Sequence, residues 1–103
     1  MTDEHAVPLS DQSFKASTPD ESVFVRVAVR GHVLGVQLEP AAMARPGHEI
    51  AERIMACADV AYLQGQVAVR RQWELAGIAA DSFAVLPTEA DLAAARDRLG
   101  KLS

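Results

Sequence analysis

Apolar and polar residues alternate with period two between Ser22 and Glu39, the clearest pattern in the chain. Val23, Val25, Val27 and Val29 interleave with Phe24, Arg26, Ala28 and Arg30, and after Gly31-His32 the run Val33-Leu-Gly-Val-Gln-Leu-Glu39 follows. Such alternation predicts two half-buried strands. Gly31-His32 fits a two-residue turn, with glycine taking the positive φ of its first central position. That turn would pair Val29 with Leu34, Val27 with Val36 and Val25 with Leu38 on one apolar face. The other face would pair Arg30 with Val33, Ala28 with Gly35, Arg26 with Gln37 and Phe24 with Glu39. A slip of one residue destroys the match, so the pairing is well specified. The expected product is an antiparallel sheet with one buried and one largely wet face.

The flanking segments extend this pattern. Ser13 to Thr18 (SFKAST) predicts a short first strand, with Phe14 and Ala16 on one face, and Pro19-Asp20-Glu21 reads as a turn. Pro40 ends the hairpin because it cannot donate to a ladder, so the strands fall within 13–39. The period then becomes helical over 46–76. Pro46 suits a first helical position. Glu49 and Glu52 lie near the positive end of the helix dipole, and Arg70 and Arg71 near the negative end. One apolar row carries Ile50, Ile54, Cys57, Ala61, Gly65, Ala68, Gln72 and Leu75, and its neighbour Ala51, Met55, Ala58, Tyr62, Val69 and Trp73. Gly77 can stop the helix. Residues 78–87 form an apolar connector. Thr88, with Asp91 in a capping-box position, opens a last helix over 88–101 that sets Leu92, Ala95 and Leu99 on one side. Residues 1–12 are polar and expected to be a disordered tail. Residues 13–103 then form a single α+β domain: a small antiparallel three-stranded sheet, a long helix on one face and a short C-terminal helix.

A helix over 46–76 is about 45 Å long, whereas a strand of eight residues spans about 27 Å. The helix therefore overhangs the sheet, and its second apolar row would be wet in a monomer. Large exposed apolar patches mark interfaces. The simplest closure is a two-fold homodimer with the long helices crossing or exchanged. Ile54, Ala58, Ala61, Tyr62, Gly65, Val69 and Trp73 are the expected interface. The alternative is a break near Gly65, with the last helix covering the rest.

The chain has 103 residues and a net charge of −4, with an isoelectric point near 5.2. A dedicated nucleic-acid binder is usually basic on at least one face, so nucleic acid is not favoured by charge. Cys57 is the only cysteine, so no intrachain disulfide can form. No apolar run reaches the length of a membrane span, and the polar N-terminus has no signal-peptide core. A cytoplasmic location is expected, and secretion without a cleaved signal stays open.

No catalytic constellation accompanies the fold. His5, His32 and His48 are scattered without metal-site spacing. Cys57 lies in the apolar stripe with no basic group placed to activate it, which reads as a buried structural thiol. Glu49, Glu52 and Asp59 fit a solvated helix, and no phosphate loop or Ser/His/Asp arrangement is present. No enzyme, cofactor or metal is expected. Arg26 and Arg30, with Lys15 nearby, and Arg70 and Arg71 are candidate phosphate contacts. Charges that guard a sheet edge and helix-dipole compensation explain the same residues. Tyr62 and Trp73 are of the types enriched at binding hot spots, and equally suit a dimer core.

The stretch SFKASTPDESVFVRVAVRGHVLGVQLEPAAM, followed by HEIAERIMACADVAYLQGQ, resembles the YbaB/EbfC family in its order of strand, hairpin, proline and Ala-rich helix. The likeness covers roughly residues 13–72. It implies a small nucleoid-associated, DNA-binding homodimer. The long N-terminal helix and the basic character usual in that family have no match here. A closer likeness is to the actinobacterial, ESX (type VII) secretion-associated branch of this fold, the EspL, EspH and EspD type. It rests on SFKAST with VFVRVAVRGH, on VRVAVRGHVLGVQLE with IAERIMACADVAYLQGQVA, and on LPTEADLAAARDRL. This resemblance implies a non-enzymatic accessory or chaperone-like factor with a protein partner in a secretion system. The alternative is a nucleoid-associated DNA-binding protein of the YbaB/EbfC type.

Overall fold

The computed structural model describes residues 7–102. Strands β1 (Ser13–Ser17), β2 (Val23–Ala28) and β3 (Val33–Leu38) form one antiparallel sheet in that order. A one-turn helix α1 (Pro40–Met43), the long helix α2 (Gly47–Leu75) and the C-terminal helix α3 (Glu89–Gly100) follow. The fold is α+β, with α2 laid across β1 and β2 and α3 packed on α2. Pro46 is the residue before α2, not its first. At the other end Gly77 takes φ +78°. Ile78 N–H donates to Trp73 O and Gly77 N–H to Glu74 O, both at 3.1 Å, and the helix stops there in a Schellman motif. Thr88 and Asp91 form the expected reciprocal capping box at the start of α3.

Alternation along β2 drives the core. Val23, Val25 and Val27 are all buried beneath α2, against Cys57, Val60 and Ala61. Each buried valine stabilises by roughly 1.5–3 kcal/mol. Leu92, Ala95 and Leu99 of α3 join the same core through Val67 and its neighbours. Gly65 sits against the hairpin and β1: a Cβ there would lie 3.4 Å from Val29 Cγ2 and 3.5 Å from Phe14 Cδ2.

The hairpin closes differently from the two-residue turn expected. Gly31, at φ +110°, is the last residue of a three-residue loop, Val29-Arg30-Gly31. Ala28 N–H donates to His32 O at 2.9 Å and Gly31 N–H to Ala28 O at 2.8 Å, as in a type I turn followed by a positive-φ residue. Pairing is shifted by three residues at Val27 and, beyond a bulge, by two along the rest of the hairpin. Val23 faces Leu38, Phe24 faces Gln37, Val25 faces Val36 and Arg26 faces Gly35. A bulge then brings Val27 opposite Val33 and leaves Leu34 as the extra residue. A shift of two preserves the faces from Gly35 to Leu38, so alternation identified the buried side of β2 correctly, but the bulge exchanges Val33 and Leu34: Val33 stands opposite Val27 and Leu34 turns to the outer face, the reverse of the expected pairing. Burial of Val29 decides the matter: it leaves the ladder to cover Gly65, and its carbonyl accepts from Gln66 Nε2 at 3.1 Å.

Residues 1–6 of the expected tail lie outside the described residues. Residues 7–12 are fastened to the sheet: Val29 N–H donates to Gln12 O at 3.0 Å, and Gln12 Nε2 donates to Val7 O at 2.9 Å. The β1–β2 turn is knotted around Asp20, whose Oδ1 accepts from Thr18 Oγ1 and Ser22 Oγ, both at 2.8 Å, and from Ser22 N–H at 3.1 Å. These bonds, chiefly the Thr18 hydroxyl, lower its carboxyl from the ordinary 3.8 to about 2.

Two outcomes follow. Gly65→Ala is expected to keep or raise stability, because helix propensity favours alanine by about 1 kcal/mol and its Cβ would meet Val29 and Phe14 at ordinary contact distance. Gly65→Leu is expected to lose about 1–3 kcal/mol by overpacking, and urea unfolding reads both. The depressed Asp20 carboxyl adds stability that is complete above the unfolded value near 3.8 and lost as pH falls towards 2. Asp20→Asn should flatten that part of the stability curve, and an unchanged acid limb would contradict the role assigned to the turn.

Candidate functional site

The sheet is wider than the helix that covers it. A helix with its side chains is about 10–12 Å across, and neighbouring strands lie about 4.8 Å apart, so α2 covers two strands and leaves the third. Val25 is 1% exposed, whereas Val36 directly opposite on β3 is 45% exposed. Val27 is 2% exposed and its partner Val33 is 53% exposed. β3 is also an edge strand, and the run Val33–Leu38 carries no charge. On this flank α2 presents Tyr62, 42% exposed, whose ring reaches the hairpin loop: a Cβ at Gly31 would lie 3.6 Å from its Cε1. Ala58 and Ile54, one and two turns earlier, are half-buried. Together they make an apolar strip of strand face and helix flank that none of the described residues covers.

The seven residues expected at a dimer interface divide. Ala61 and Gly65 are enclosed by the chain's own sheet and cannot touch a partner. Ile54, Ala58 and Val69 are half-buried, and Tyr62 is exposed. Trp73 is half-buried and meets Phe83 edge to face, with ring centroids 6.3 Å apart. Phe83, in a single 3-10 turn over Ala80–Phe83, is buried. The overhang of α2 is thus covered in part from within the chain, by the connector and α3. Leu75 and Val85 at that end remain exposed.

The arginines divide as well. Arg70 ties the connector down, with Nη1 donating to Phe83 O at 3.1 Å and Leu86 O at 2.8 Å. Its guanidinium lies 5.1 Å from the Phe83 ring centroid, and its Nε is 3.8 Å from Glu74. Arg71 pairs with Glu89 of α3. Arg30 is in the hairpin loop rather than on the sheet face, with Ser10 O at 3.2 Å and Asp11 at 3.4 Å. Arg26 alone of the four stands on the outer sheet face, beside Lys15. The four do not share one patch.

The open flank of β3 escaped sequence reasoning, which assumed that one helix covers the sheet. The uncharged β3 and the width of a single helix were the available signals. The clamp made by Arg70 had none, since its partners are backbone carbonyls. His32 and His48 are exposed, and His5 lies outside the described residues. Among the described residues no group of three or more His, Cys, Asp or Glu could hold a metal ion, and no helix is long and apolar enough to cross a membrane. Cys57 is fully buried, with Sγ 3.8 Å from Val23 O, and burial pushes its thiol up to about 11. Native protein is expected to resist a thiol-specific disulfide reagent near neutral pH and to react in full once denatured. Rapid native labelling would contradict the packing described.

No curated protein and no solved structure matches the chain. Residues 5–102 match the family described as Protein of unknown function (DUF2694), and with nearly its whole length matched, the chain belongs to that family.

Proposed function

We propose that this protein is a non-enzymatic binding factor that works as a YbaB-like homodimer, as an accessory or chaperone-like component of type VII (ESX) secretion acting in the cytoplasm. The observation that carries the binding reading is the uncovered apolar strip of Val33, Val36 and Tyr62. An apolar strand face beside an apolar helix flank is the kind of surface that association buries. A two-fold contact would set this strip against its own copy, a self-complementary arrangement. The link to secretion comes from the sequence likeness to the EspL, EspH and EspD type. Binding to duplex DNA is the second reading, and Lys15 and Arg26 on the outer sheet face are what favours it. It is the weaker one, because Arg30, Arg70 and Arg71 are engaged within the chain.

Light scattering should give twice the 11.0 kDa of one chain, and Val36→Lys should return the mass to that of a single chain. Tyr62→Ala should raise the dissociation constant about tenfold or more, as expected of an aromatic hot spot. A wild-type monomer at tens of micromolar would overturn the homodimer. In an actinobacterial host, Val36→Lys should lower export of type VII substrates without lowering their synthesis. Unchanged export would remove the secretion role.

A further inference from the structure

The outer face of the sheet, turned away from α2, carries two cations that no carboxylate of the described residues pairs with, Glu39 being held instead by the Gln37 amide. Lys15 and Arg26 are direct cross-strand partners. Like charges set opposite one another destabilise a sheet, and among the described residues neither is paired with a carboxylate. Lys15 Nζ lies 5.4 Å from the centroid of the Phe24 ring, and Arg26 Nη1 donates to Ser13 Oγ at 3.1 Å. The next member of the same cross-strand row is Gly35, with nothing within 4 Å of where its Cβ would stand. The row therefore reads cation, cation, gap. Phe24 and the exposed Leu34 supply apolar contact beside it. With Val36 and Gln37 these residues line a shallow cleft of about 320 Å³.

We infer that this cleft binds an acidic segment of a protein partner, with carboxylates on Lys15 and Arg26 and an apolar side chain against Phe24 and Leu34. The unneutralised pair supplies charge complementarity, and the guanidinium offers a fork matched to a carboxylate. The apolar rim favours a peptide over a phosphate backbone, which needs several cations along one track. The inference rests on the reading of this chain as a protein-binding factor and names the chemistry of its partner. The cleft opens on the face opposite α2 and meets the strip assigned to the homodimer only at Val36, which lines both.

The test is fluorescence anisotropy of a fluorescein-labelled peptide, Gly-Leu-Glu-Glu-Leu-Gly, with the full chain at low salt. The wild type should bind saturably, and Lys15→Glu and Arg26→Glu should each weaken binding about tenfold or more. Arg96→Glu on α3 makes the same change of charge elsewhere and should leave binding unaltered. Light scattering on the same samples separates the two readings: a monomer that binds the peptide sinks the homodimer and keeps the cleft. No saturable binding at millimolar peptide, or an equal loss in Arg96→Glu, would overturn the inference. Preference for labelled duplex DNA, lost in the same two variants, would overturn it in favour of nucleic acid.

Discussion

The close approach of α2 to the sheet at Gly65 governs much of what surrounds it. With no side chain there, Val29 and Phe14 close the space. Val29 stands outside the β2–β3 pairing while its N–H still donates to Gln12 O, and the hairpin loop is three residues long. The loop length and the bulge at Leu34 together set the register, which places Gly35 rather than Gln37 opposite Arg26. The gap in the outer face is thus linked to a helix glycine on the other side of the sheet. Interiors packed like molecular crystals transmit such constraints because they have little free volume in which to absorb them.

A second constraint is width. One helix can bury two strands, and the chain spends its second long element, α3, on the far flank of α2 rather than over β3. Arg70 holds that arrangement by drawing the connector back along α2 through two backbone carbonyls. The α3 side is therefore closed and the β3 side open. An asymmetry of this kind gives a small domain one face suited to association while its core stays complete.

Much of the architecture was legible in the sequence. Period-two alternation marked β2 and β3, the change to helical period marked α2 within a residue at either end, and Thr88 and Asp91 marked the start of α3. These features depend on neighbours a few residues apart. The register did not follow, because a glycine suits both a two-residue and a three-residue loop, and the choice was made by Val29 packing against a residue 36 positions away. The interface residues were only half legible for the same reason. Helical spacing groups Ala61, Gly65 and Tyr62 on neighbouring rows, but the placement of the sheet decides which are enclosed and which face out. The cations on the outer face could be found by alternation, whereas their standing directly opposite one another depends on the register of β1 with β2.

The bulge at Leu34 has a consequence for how β3 can be used. An edge strand presents a repeating row of donors and acceptors, and a regular one can template a neighbouring strand along its whole length. Here the extra residue interrupts the repeat near the start of the six-residue strand. Backbone pairing along the outer edge of β3 is confined to its second half, too short a run for indefinite lateral growth. Association through β3 must then draw on side-chain packing as well as the ladder, which favours a closed pair over a fibre.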